Sequence, residues 1–178
     1  MRQAILYIAM SLDGYIADMH GGVGWLPAVE DAPAADSYNA FVRSVDTVVM
    51  GWNTYRQLVT ELSPGTWVYA DLTSYVITHR SCDDREDIRF TDRSPCELLR
   101  ALRKEKGRDI WICGGASLTQ QLMKENLIDV YRVSVIPVIL GNGIRLFGAL
   151  EQSIPLCPLA AENRGGFTEL IYARSPHK

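Results

Sequence analysis

The segment Ile110-Trp-Ile-Cys-Gly-Gly-Ala-Ser-Leu118 constrains the fold of this chain more than any other. Its first four side chains are apolar or thiol-bearing, as suits a strand covered on both faces. Gly114 and Gly115 then break the strand. A helix is expected to start near Ala116, because Leu118 and Leu122 are four apart and share one helical face. A buried strand that turns sharply into a helix is the repeating unit of an α/β sheet.

The same alternation runs through much of the chain. Ala4 to Met10 (AILYIAM) is a near-continuous apolar run. Tyr38, Phe41, Val42 and Val45 recur at helical spacing and predict a short helix over roughly 34–44. Val45 to Met50 reads as the next buried strand, ending at Gly51, with a short helix from Asn53 to about Leu58. Ser74 to Thr78 and Ile88 to Phe90 are shorter strands. Ser94-x-x-Glu97 forms a capping box with Pro95 at the first helical position, and Leu98, Leu99 and Leu102 follow as an apolar stripe before Gly107. Val130 to Leu140, minus its Pro137, and Phe167 to Ala173 are strands with no helix between them, so antiparallel edge strands are expected there. The fold class expected is α/β in three layers: a mostly parallel central sheet, an antiparallel C-terminal edge, and helices on both faces.

The bulk numbers narrow the function. A chain of 178 residues, 22% of them charged, suits one soluble domain over 1–178. A formal charge of −3 gives no reason to expect nucleic acid or an anionic membrane as partner. No run approaches the ~18 apolar residues of a membrane helix. Cys82, Cys96, Cys113 and Cys157 form no C-x-x-C pair and the histidines are scattered, so reduced thiols and no bound metal are expected. Met1-Arg2-Gln3 leads straight into strand-like sequence rather than an apolar leader, which points to the cytoplasm.

Chemistry is expected where strands end. A helix that starts on two glycines offers unpaired N–H groups and a positive dipole end to a diphosphate, with no Cβ in the way. Gly51-Trp-Asn-Thr-Tyr55 repeats this logic, with Asn53 or Thr54 expected to cap the following helix. If the two strands are neighbours, both turns flank one crevice at the carboxyl edge, where α/β sheets bind ligands. Thr78-His79-Arg80 ends the third strand and presents a hydroxyl, an imidazole and a guanidinium suited to an extra phosphate. The loop from Met10 through Leu26, with glycines as hinges and Trp25 as a flat apolar surface, is placed to fold over a ligand.

These segments, taken in order, resemble the dihydrofolate reductase-like superfamily, and most closely its riboflavin-pathway branch, the C-terminal reductase domain with its stand-alone relatives. The likeness is carried by Ala9 to Ala17 (AMSLDGYIA), Val45 to Tyr55, Ile112 to Asp129 and Pro137 to Phe147 (PVILGNGIRLF). It implies NADPH lying across the carboxyl edge of the sheet. By position, Ala9 and Ile16 meet the nicotinamide; Gly51, Asn53 and Thr54 meet the phosphate and adenosine half. Thr78, His79 and Arg80 surround the 2′-phosphate, and Gly114, Gly115, Ala116, Ser117 and Leu118 hold the diphosphate. Trp25 and the 36–41 helix line the substrate side, where Asp13, Ser37 and Phe41 are the candidate contacts and Asp36 the candidate catalytic acid. Matching Phe41 to the aromatic of the first helix puts Ser37 where dihydrofolate reductases carry their carboxylate, one residue from Asp36, for which an N-cap is the other expected role. The resemblance also implies a homodimer.

Three readings follow: an NADPH-dependent reductase most like 5-amino-6-(5-phosphoribosylamino)uracil reductase, dihydrofolate reductase itself, or a non-catalytic dimeric relative.

Overall fold

A computed structural model of the chain describes residues 1–26 and 32–175, the side chains of 32–34 excepted. The strands are β1 (Ala4–Ser11), β2 (Tyr15–Ala17), β3 (Val45–Gly51), β4 (Thr73–Ile77), β5 (Ile88–Thr91), β6 (Asp109–Gly114), β7 (Val130–Ile136), β8 (Ile144–Arg145), β9 (Leu156–Asn163) and β10 (Thr168–Arg174). The helices are α1 (Ala32–Ser44), α2 (Trp52–Gln57), which widens into a π turn over Leu58–Leu62, α3 (Pro95–Leu102) and α4 (Ala116–Lys124). Eight strands form one sheet in the order β5-β4-β3-β6-β1-β7-β10-β9. Pairing is parallel from β5 across to β7, and antiparallel between β7 and β10 and between β10 and β9. The mixed sheet expected from the sequence is therefore present.

Two apolar layers hold the sheet. On one face α3 and α4 press Leu98, Leu99, Leu102, Leu118 and Leu122 onto Leu6, Ile110 and Ile112. On the other, α1 and α2 bring Phe41 and Tyr55 onto Val45, Val48, Met50, Val76 and Trp111. The second layer is aromatic: Phe41 meets Trp111 edge-on at 5.4 Å and Tyr7 at 4.6 Å between ring centroids. Such pairs add about 0.5–1.5 kcal/mol each beyond burial.

The capping box at α3 is formed as expected, with Ser94 accepting from the Glu97 amide and Glu97 bonded back to Ser94. α1 starts at Ala32, so Asp36 sits inside the helix and its expected N-cap role is corrected. α2 is capped by Gly51 with no side-chain bond, which corrects the capping role given to Asn53 and Thr54. The strand expected over Val130 to Leu140 stops at Ile136, ahead of Pro137, which has no N–H for a ladder. β9 was not expected: it is exposed almost throughout and interrupted by Pro158, so it carries no burial periodicity. β2 and β8, three and two residues long, are too short to show a pattern.

Ser94→Ala removes the cap oxygen from an exposed helix start. Loss of about 1 kcal/mol of unfolding free energy is expected in urea titrations, with the denaturant slope unchanged.

Candidate functional site

β3 and β6 are adjacent and parallel, and Met50 lies opposite Gly114. The two glycine turns therefore stand side by side. A Cβ placed on Gly51 would lie 3.9 Å from the Gly115 amide nitrogen, and one on Gly115 would lie 3.5 Å from Thr54 Oγ1. Gly114 adopts φ +127°, a backbone form that favours glycine, and a Cβ there would press on Ile8 Cδ1 at 3.3 Å. The Gly114–Gly115 peptide is cis. Gly115 caps α4 without a side-chain bond, so the amides of Ala116, Ser117 and Leu118 have no intrahelical acceptor and face the turn. The strand ends predicted to converge do so.

The Thr78-His79-Arg80 segment follows β4 on the other side of β3. The Thr78 hydroxyl is buried and accepts the Arg80 amide at 3.1 Å, while His79 and Arg80 are exposed. The Arg80 guanidinium carbon stands 5.0 Å from the centroid of the Trp52 ring, a cation–π contact. Beside it lies a recess of about 450 Å³ lined by Trp52, Tyr55, Phe90 and the 81–85 loop. Asn53 is exposed and Thr54 half-buried at the same edge.

Loops from β1 rise over the same edge. Asp13 accepts from the Ser11 hydroxyl (2.7 Å) and from the amides of Leu140 (3.1 Å) and Gly141 (2.7 Å), so both carboxylate oxygens are engaged within the chain. The Ser11 hydroxyl, then the loop amides, hold the Asp13 carboxyl below its usual range. Gly143, at φ +146°, packs so closely that a Cβ would lie 2.2 Å from the Ala17 carbonyl oxygen. Gln57 of α2 donates to the Gly21 carbonyl at 3.0 Å, tying the segment after β2 to the β3 side. Ala9 is half-buried opposite Ser134, Ile16 packs on the α4-side core, and the Trp25 indole N–H is buried without a partner among the described residues.

On the α1 face, Asp36, Ser37, Ala40, Phe41, Ser44, Arg132 and Arg164 line an open recess of about 640 Å³. Asp36 is exposed on its rim. Phe41 is 4% exposed, so its ring belongs mainly to the aromatic layer. Ser37 accepts from Arg132 and lies 3.3 Å from Glu169, whose side chain is 1% exposed. Arg132 grips both Glu169 oxygens at 2.9 Å, its charge 4.6 Å from the Tyr7 ring centroid. Burial alone would push the Glu169 carboxyl up, but the Arg132 hydrogen bonds and charge outweigh it and hold it below the usual range. Burial first, and then the Glu169 charge, push Tyr7 up to about 12.

Sequence reasoning placed the glycine turns and the β4 end correctly. It missed Arg132 and Glu169, which lie 37 residues apart on strands with no motif. It also missed Trp52, which the strand-end position flagged only through its neighbours.

A folded-state carboxyl held below its unfolded value stabilises at pH above the unfolded value, about 4.3, and that contribution fades as pH falls through the folded one. Glu169→Gln should therefore destabilise by about 3–5 kcal/mol near neutrality, since it strands Arg132 in a buried setting. The deficit should shrink below about pH 4.3, as thermal melts across pH would record.

The family model described as RibD C-terminal domain matches residues 2–163. The uncharacterised protein YwjB of Bacillus subtilis (strain 168) is 39% identical over 176 residues, covering 98% of this chain and 99% of that protein. Among solved structures, a proposed riboflavin biosynthesis protein from Shewanella sp. PV-4 superposes with a TM-score of 0.84 at 26% identity, covering 98% of this chain and 99% of the other. Dihydrofolate reductase from Enterococcus faecalis, complexed with NADP(H), shares the fold at a TM-score of 0.65 and 16% identity, over 98% and 97% of the two chains.

Proposed function

The chain belongs to the RibD C-terminal domain family, and we propose that it is an NADPH-dependent reductase of a small nitrogen heterocycle, most like 5-amino-6-(5-phosphoribosylamino)uracil reductase. One observation carries this reading: two glycine turns from adjacent parallel strands meet at the bare N-terminus of α4. That arrangement offers converging amides, a positive dipole end and room for backbone approach, which are the requirements of a dinucleotide diphosphate. The enterococcal dihydrofolate reductase of the same fold is complexed with NADP(H).

In this reading Gly114, Gly115, Ala116, Ser117 and Leu118 hold the diphosphate, with Gly51, Asn53 and Thr54 opposite. The Trp52–Phe90 recess takes the adenosine end, and Arg80 leaves the Trp52 face to meet the 2′-phosphate. Ala9, with its small side chain, leaves space on the α1 face of the sheet for the nicotinamide, which supplies the hydride when bound. The chain's own task is to hold donor and acceptor carbons together away from water. Ser37, Phe41 and Asp36 border the acceptor side, Asp36 being the carboxyl free to reach it, while Asp13 acts by fixing the loop roof. We also propose a homodimer. The β9 edge supports it, because Leu156 and Leu159 are exposed there, although Pro158 and the bulge beside it disfavour simple strand addition.

The test is a fluorescence titration with NADPH; absence of a saturable signal sinks the reductase reading. Gly115→Val should abolish that signal while the melt stays cooperative, since a branched side chain fills the space between the turns. Arg80→Ala should weaken NADPH by about 1.5 kcal/mol, the low end for a charge-assisted bond because the guanidinium is exposed, and leave NADH nearly unchanged. Equal weakening of both cofactors would remove Arg80 from the 2′-phosphate.

A further inference from the structure

The recess along α1 is built on the opposite electrostatic plan from the edge where the glycine turns meet. At that edge α4 presents its N-terminus, with amides unspent and the dipole positive. The recess instead follows the body of α1 from Asp36 to Ser44, the last residue of the helix. From Asp36 onward each α1 amide has a carbonyl four residues back to bond, so none is left for a ligand. The end of α1 that reaches the recess at Ser44 carries the negative pole of the dipole.

The side-chain donors are also largely spent. Ser44 gives its hydroxyl hydrogen to the Phe41 carbonyl at 2.7 Å, and Ser37 gives its own to Glu169 at 3.3 Å. Arg132 places Nε and Nη2 on the two Glu169 oxygens, each at 2.9 Å. Arg164 is paired with Glu162 and lies 3.4 Å from Glu169. Any guanidinium hydrogen left over can serve a neutral oxygen, but the charge behind it is already matched.

Counting charge shows which ligand tails this wall favours. Two guanidiniums, Arg132 and Arg164, face three carboxylates, Glu162, Glu169 and Asp36. Burial opposes the charge of Glu169, but Arg132 outweighs burial and holds it below the usual carboxylate range, so it is ionised near neutrality. The carboxylate in excess is Asp36, exposed on the rim with no ion-pair partner among the described residues. A phosphate dianion brought here leaves water for a wall with no spare cation and one spare anion. An ammonium gains a partner there, and a hydroxyl loses little.

We propose that this recess receives the tail of the acceptor and selects an unphosphorylated one, an amine or a hydroxyl, with Asp36 as the residue that sets the choice. The inference rests on the hydride-transfer reading for its place in a reaction, yet selection by charge is measurable as binding alone. The acceptor then differs in its tail from the phosphoribosyl compound of the reductase that the chain most resembles. The order of neighbouring reactions follows: where the acceptor is first built as a phosphate ester, hydrolysis of that ester comes before this protein's step. Phosphate recognition by the chain is thereby confined to the cofactor edge.

The experiment uses the full chain, with and without saturating NADP+, and three probes that share one ring and differ only in the charge of the tail: uridine, 5′-amino-5′-deoxyuridine and uridine 5′-monophosphate. In calorimetric titrations at low salt, wild type should bind the amine about threefold or more tighter than uridine, and the monophosphate about tenfold or more weaker. Raising the salt to about 0.5 M should draw the three together, which a purely steric fit would not do. Asp36→Asn should abolish the amine preference. Asp36→Asn combined with Glu162→Gln, which releases Arg164, should bring the monophosphate ahead of uridine. The assignment is overturned, even where NADPH binds, if the monophosphate binds wild type as well as uridine does or if none of the three binds. It is equally overturned if salt leaves the spread unchanged, if Asp36→Asn keeps the amine preference, or if the double variant still binds the monophosphate last. If the order holds while NADPH fails to bind wild type, the recess assignment stands and the reductase reading falls. Melting curves of both variants separate a lost charge from a lost fold.

Discussion

Everything proposed for this protein depends on the parallel ladder between β3 and β6, which sets Met50 against Gly114. Parallel strands end on the same side, so adjacent ones deliver their turns to a single edge. Here both turns are glycine, and each leaves room for the other's backbone: the hypothetical Cβ positions fall 3.5–3.9 Å from the neighbouring turn. A slip of one residue in that register would turn every side chain on β6 to the opposite face, moving Trp111 and Cys113 out of the aromatic layer. The proposed binding edge and the aromatic core are thus fixed by the same hydrogen bonds.

Two polar groupings share the α1 face and follow opposite electrostatic rules. Glu169 and Arg132 are a charged pair, nearly dry on the carboxylate side, satisfied by bidentate geometry, Ser37 and the Tyr7 ring. Such a pair tolerates burial only because every partner is in place, and it makes one wall of the recess rigid. Tyr69 and Cys113 carry no charge to compensate, and they meet at 3.7 Å within the aromatic layer. The first grouping holds the architecture together.

The roof over the edge is built from backbone rather than from packed side chains. Asp13 gathers the 140–141 loop, Gly143 allows its backbone against Ala17, and Gln57 reaches the Gly21 carbonyl. The side chain that resembled a substrate contact by position is here the clasp of two loops. Sequence could not distinguish these roles, because a carboxylate beside glycines suits either one.

What the sequence alone determined is local: where strands end, which helices start on glycine or on a capping box, and which faces are apolar. Those properties depend on neighbours within a few residues, so the Gly51, Thr78–Arg80 and Gly114–Leu118 segments were legible without a fold. The resemblance in motif order extended this to the sheet class. Tertiary structure alone decided which distant side chains meet: Arg132 with Glu169, Tyr69 of a loop with Cys113 of β6, Arg80 over Trp52. It also decided that β9 exists, since an exposed strand broken by proline is held by its partner β10 and not by its own pattern. Contacts between residues far apart in the chain arise from the register and order of strands, and no periodicity in a single segment encodes them.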